Sequence, residues 1–80
     1  MISANIITFN EEANIADCIA SARQVCEDIV VVDSGSQDRT TAIARELGAK
    51  VVQQAYLGDG VQKNIALAHV KYDWVLSLDA

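Results

Sequence analysis

At 80 residues the chain has room for one small domain and no more. Hydrophobic residues make up 51% and charged residues 21%, which excludes a disordered or low-complexity segment. Six basic residues against 11 acidic ones give a net charge of −5, so no basic face exists for a nucleic-acid backbone.

The elements alternate in kind along the chain. Ile2–Thr8 is short, apolar and β-branched, and predicts a strand. Asn14–Val25 carries Ile15, Cys18, Ile19, Ala22 and Val25 at helical spacing, with Asn14 as its N-cap. Asp28–Asp33 is a continuous apolar run closed by acids, which suits a strand buried on both faces of a parallel sheet. Asp38–Leu47 predicts a second helix, capped by Asp38 and ended by Gly48, with Ile43 and Leu47 on one face. Lys50–Gln54 predicts a third strand. Gly60–His69 predicts a third helix, capped by Asp59, with Val61, Ile65 and Ala68 on one side. Trp74–Asp79 predicts the fourth strand. The β-α-β-α-β-α-β order predicts an α/β fold of three layers, α/β/α, around a parallel sheet with right-handed crossovers.

Cys18 and Cys26 have no CxxC neighbour and no His at ligand spacing, and read as reduced core thiols of a cytosolic protein. No apolar run approaches the ~18 residues of a membrane span. The N-terminus lacks the basic start and apolar core of a signal peptide.

In open parallel sheets, ligands sit outside the carboxyl ends of the strands. The first exit is Thr8-Phe9-Asn10-Glu11-Glu12, the second Asp33-Ser34-Gly35-Ser36-Gln37-Asp38, the third Gln53-Gln54 and the fourth Asp79-Ala80. Apolar strands thus end repeatedly on carboxylates. Asp33 has two readings: an acceptor for a base N–H or ribose hydroxyl, or the residue that starts the Ser-Gly-Ser turn by bonding its own backbone. Lys63 can reach a phosphate or base carbonyl, or stand solvated on its helix. Phe9 can stack on a base or pack inward. His69 has no partner that would make it a site, and Tyr72 and Trp74 suit packing at the start of the fourth strand.

Four stretches taken together resemble the inverting family-two glycosyltransferases of the GT-A fold. Ile6-Ile7-Thr8-Phe9-Asn10-Glu11-Glu12 is similar to the family's "TYNEE" opening. Val31 to Thr40 is similar to its "VVDSGSTDGT" segment, Lys63-Asn64 to an "RN" or "KN" pair, and Leu76 to Ala80 to the run into the DXD motif. Within the family, the sequence looks most like bacterial lipopolysaccharide-core β-1,4-glucosyltransferases that use UDP-glucose.

The resemblance implies an N-terminal nucleotide-sugar-binding half of a GT-A domain spanning 1–80. Thr8, Phe9 and Glu11 would line base and ribose, and Asp33 would accept from the uracil N–H. Lys63 would reach the base or diphosphate, and Asp79 would be the first DXD acid, touching ribose or metal. A uridine nucleotide gripped by Asp33 and Asp79 is the expected picture. The resemblance also implies a divalent ion, Mg²⁺ or Mn²⁺, and a saccharide or lipid-linked saccharide acceptor. The second DXD acid, the catalytic base and the acceptor site would lie past Ala80, so no catalytic residue is expected here. The parent protein would be cytoplasmic, peripheral at the inner membrane. The fourth strand is expected to leave an open apolar edge able to pair with a second copy.

A Rossmann-type dinucleotide binder or a nucleotidyltransferase would need a Gly-rich first turn, and Phe9-Asn10-Glu11-Glu12 has none. A pure interaction module, in which the strand-end acids are turn and cap residues, remains the non-enzymatic alternative.

Overall fold

The computed structural model describes Met1–Ala80. Its elements are β1 (Ile2–Thr8), α1 (Ile15–Arg23), β2 (Asp28–Asp33), α2 (Thr40–Glu46), β3 (Lys50–Gln53), α3 (Asp59–Leu67) and β4 (Trp74–Asp79). Every expected strand and helix is present; α1 and α2 are shorter than expected by one or two residues at each end, and α3 begins one residue earlier and ends two earlier.

The strands form one parallel sheet in the order β3-β2-β1-β4. The chain steps twice in one direction, from β1 to β2 to β3, and then crosses back past both to β4. Crossovers of a single hand require the returning helix to lie on the other face. Accordingly, Ala4, Ile6, Ile29 and Val31 pack with Ile15, Ile19, Ala22 and Ala44 of α1 and α2. Val30 and Val32, pointing the other way, pack with Ala66 of α3. All six residues of β2 are buried, as its unbroken apolar run implies.

The helix faces correct several details. Val25 lies beyond α1 and is 56% exposed. In α2 the buried stripe is Thr40 and Ala44, while Leu47 is exposed. In α3 it is Gln62 and Ala66, with Val61 and Ala68 exposed. The periodicity was right in both helices, but the contact face is rotated by one residue toward small or hydrogen-bonded side chains, which let a short helix approach the sheet closely. Asn14 does not cap α1; its amide donates to Glu11 instead, at 2.9 Å. The N-cap of α2 is Arg39 rather than Asp38, which lies one residue before it and accepts from the Thr40 N–H at 2.9 Å. Gly48 ends α2 at φ +83°, a conformation that favours glycine.

β4 is an edge, as expected, with Trp74 78% and Leu76 38% exposed. Its outer N–H and C=O groups form a template for another strand. Sedimentation of the 80-residue chain is expected to show mass rising with concentration, and Leu76→Lys to return it to a monomer. A wild-type chain that stays monomeric at every concentration would refute this.

At the sheet's amino end, buried Asp28 ties together the beginnings of three strands. It accepts from Ser3 Oγ at 2.8 Å and the Lys71 N–H at 2.7 Å, and pairs with Lys50 Nζ at 3.1 Å. Ser3 Oγ in turn accepts from the Tyr72 N–H at 2.9 Å. Burial alone would raise the Asp28 pKa, but the bonds from Lys71, Ser3 and Lys50 together hold it below the ordinary carboxylate value. A depressed folded-state pKa gives stability that is present above the unfolded pKa and lost as pH falls through the folded one. Urea unfolding of Asp28→Asn is expected to show a loss of about 1–3 kcal/mol at neutral pH. The variant should also lose less stability than the wild type when pH drops below the usual carboxylate range.

Candidate functional site at the carboxyl rim

Beyond the strand ends, the loops after β1 and β2 are stitched to one another. The Asn10 N–H donates to Ser36 Oγ at 2.7 Å, and Asn10 Oδ1 accepts from the Gln37 N–H at 2.8 Å. The Glu11 N–H donates to Thr40 Oγ1 at 2.9 Å and the Glu12 N–H to Asp38 Oδ2 at 3.2 Å. Asn10 takes φ +50°, which its short polar side chain tolerates well. These bonds satisfy loop backbone donors that no ladder reaches, and they set the two exits rigidly side by side. The Asp38 pKa is lowered, first by its hydrogen bond from the Thr40 hydroxyl.

Asp33 belongs to the same scaffold. It is fully buried, and its Oδ2 accepts from the Gly35 N–H at 3.0 Å and the Ser36 N–H at 2.8 Å. Its Oδ1 accepts from the Ser36 hydroxyl. Gly35 sits at φ +95°, which the turn requires. A carboxylate with no exposed surface cannot touch a ligand unless the turn opens. Register also separates it from Asp79. Asp33 lies opposite Thr8 and Asp79 opposite Ile7, consecutive residues of β1 that point to opposite faces. The expected joint grip by Asp33 and Asp79 is therefore corrected: Asp33 builds the turn, and its neighbour Ser34 faces the open space.

That space is a cavity of about 460 Å³ lined by Ile7, Thr8 and Phe9 from the β1 exit, Ser34 from β2, Tyr56 and Asp59 from the β3–α3 loop, and Asp79 and Ala80 from β4. It opens where the chain direction reverses between β1 and β4, the point at which parallel sheets present a crevice. Phe9 and Tyr56 are each more than half exposed, which offers two aromatic surfaces to a planar ring. Thr8 Oγ1 is buried without a protein partner. Tyr56 donates to Asp59 Oδ1 at 2.7 Å, and that bond raises the tyrosine's pKa.

Of the residues singled out from sequence, Thr8, Phe9 and Asp79 line this cavity. Glu11 does not; its carboxylate accepts from Asn14. Lys63 is exposed on α3 outside the cavity lining and enters neither ion pair of the chain. Ser34, Tyr56 and Asp59 were missed. Ser34 was legible in principle, because a turn-forming Asp turns the next side chain the other way. Tyr56 and Asp59 carried no signal beyond that of a loop and a helix cap.

The cavity's charged side chains, Asp59 and Asp79, are both acidic, so a diphosphate there would be repelled unless a cation offset them. Hard carboxylate oxygens suit Mg²⁺ or Mn²⁺. No three His, Cys, Asp or Glu side chains converge. This fits an ion that takes one or two carboxylates and draws its other ligands from phosphate and water.

No helix of the chain is long and apolar enough to cross a membrane.

The assignment of Asp33 to the turn yields a stability prediction. Asp33→Ala leaves the Gly35 and Ser36 N–H groups and the Ser36 hydroxyl without their buried acceptor, and urea unfolding should show a loss of about 1–3 kcal/mol. An unchanged midpoint would contradict the assignment.

Comparison with known proteins bears on the same region. The model of the family described as Glycosyl transferase family 2 matches residues 3–80. An uncharacterized glycosyltransferase of Rickettsia felis is 48% identical over 79 residues, covering 99% of this chain and 28% of the relative. The lipopolysaccharide core biosynthesis glycosyltransferase LpsC of Rhizobium meliloti is 36% identical over 84 residues, covering 99% of this chain and 31% of LpsC. Among solved structures, glucosyl-3-phosphoglycerate synthase of Mycobacterium tuberculosis, in complex with Mn²⁺, UDP and glucosyl-3-phosphoglycerate, superposes with a TM-score of 0.83 at 31% identity. That match covers 99% of this chain and 33% of the synthase. The chain thus spans about a third or less of the lengths of these relatives.

Proposed function

The chain belongs to glycosyl transferase family 2, and we propose that it forms the donor-nucleotide half of an enzyme that transfers a sugar from a UDP-sugar to a saccharide acceptor. The observation that carries this reading is the rim cavity, where aromatic surface, an unpartnered hydroxyl and two carboxylates meet at the sheet's switch point. A nucleoside needs the first two, and a metal-bound diphosphate the third. The synthase with the same fold has been solved with UDP and with either Mn²⁺ or Mg²⁺, which supports the same ligand class here.

In this reading Phe9 stacks on the base, and Thr8 lines the base and ribose at the cavity wall. Asp79, exposed at the rim, holds the divalent ion or the ribose, and Asp59 lines the same cavity. Asp33 acts on the nucleotide only through the turn that presents Ser34. Glu11 fixes the first loop, and Lys63 approaches the diphosphate from the exposed side of α3 as the ligand enters. When bound, the divalent ion offsets the charge that develops on the departing diphosphate. The acceptor hydroxyl attacks the anomeric carbon with inversion and loses its proton to a carboxylate outside these residues. We further propose glucose as the donated sugar and lipopolysaccharide core or another cell-envelope glycan as the product. The names of the Mycobacterium synthase and of LpsC support those choices.

Calorimetric titration of UDP with Mn²⁺ tests the reading. Binding is expected in the presence of Mn²⁺ and about tenfold weaker with EDTA or in Asp79→Asn, the equivalent of about 1.4 kcal/mol. Phe9→Ala should weaken it similarly. Absence of UDP binding by the wild type, or binding indifferent to metal and to Asp79, would overturn the proposal.

A further inference from the structure

Gln62 occupies a place where the packing of α3 against the sheet favours an apolar residue. It lies on the sheet-facing side of α3, one turn before Ala66, and is fully buried. A buried primary amide is costly unless its donors and acceptor are met. Its three bonds reach one wall residue of the rim cavity, the exit of β3, and the loop residue that follows Tyr56. Nε2 donates to Ser34 Oγ at 3.3 Å and to the Gln54 carbonyl at 3.3 Å, and Oε1 accepts from the Leu57 N–H at 3.4 Å. Ser34 leaves β2, Gln54 leaves β3, and Leu57 follows Tyr56 in the loop that carries both Tyr56 and Asp59.

We infer that Gln62 is a positioning residue for the nucleotide site, acting through the Ser34 hydroxyl and the β3–α3 loop. This rests on the reading of the cavity given above. Because the Gln62 amide supplies a hydrogen to Ser34 Oγ, the hydroxyl proton of Ser34 remains free to donate into the cavity. Ser34 then serves a ligand acceptor, such as a base carbonyl or a ribose oxygen, and discriminates against an edge that offers only donors. The same amide fixes the start of the loop from which Tyr56 lines the cavity.

A double-mutant cycle read by UDP affinity with Mn²⁺ separates this role from packing. Ser34→Ala and Gln62→Met are each expected to weaken UDP about tenfold. The double variant should be no more than about twofold weaker than either single variant. Gln62→Met binding within twofold of wild type, or losses that multiply, would overturn the inference. Should Gln62→Met not fold by circular dichroism, the Gln62 side-chain NH₂ resonances give a second test. UDP is expected to shift them in the wild type and not in Ser34→Ala; no wild-type shift at saturating UDP would overturn the role. A wild type that binds no UDP at all would instead remove the function proposed above.

Discussion

The pairing of β1 with β2, buried on both sides, is the constraint from which the rest of the molecule follows. Neither β1 nor β2 has an exposed residue, so their six-rung parallel ladder cannot slip by one position without turning each apolar side chain to the wrong layer. That ladder ends with Thr8 and Asp33 side by side, which brings the two following loops within hydrogen-bond reach. The stitching of Asn10, Glu11 and Glu12 to Ser36, Gln37, Asp38 and Thr40 is possible only because the strands end level.

The polar groups at the two ends of the sheet behave differently, and the difference has a physical basis. At the amino end, Asp28, Ser3, Lys50 and the Lys71 and Tyr72 amides satisfy one another. At the carboxyl end, satisfaction is selective. Asp33 and Asp38 are consumed by the turn and by the start of α2, while Thr8 Oγ1 is buried with no partner and Asp79 stands exposed. An open crevice, an unpartnered hydroxyl and uncompensated acids leave hydrogen-bonding capacity that the protein itself does not use. Capacity of that kind is what a bound nucleotide and its counter-ion would take up.

The carboxylates illustrate how one residue type serves two purposes. Acids ending an apolar strand look alike in one dimension. Asp33 is drawn under its own turn because Gly35 and Ser36 present two amide hydrogens to it. Asp79 belongs to an edge strand with solvent on one side, and its side chain points to the face opposite that of Asp33. Gln62 shows the converse: a polar residue taken inside a helix–sheet interface because three partners wait there.

The sequence by itself determined the element order, the parallel sheet, the two-sided burial of β2, the edge at β4 and the rim as the expected place of a site, where the cavity lies. These depend on local periodicity and on the handedness of crossovers, both of which are written in the order of residues. It also marked Thr8, Phe9 and Asp79. Only the tertiary structure decided that Asp33 faces its own turn while Ser34 faces the cavity, that Glu11 and Lys63 lie outside it, that Tyr56 and Asp59 line it, and that Gln62 stands behind Ser34. Those outcomes hinge on which face a side chain takes and which distant partner meets it. Register and packing set both, and neither is encoded at any single position.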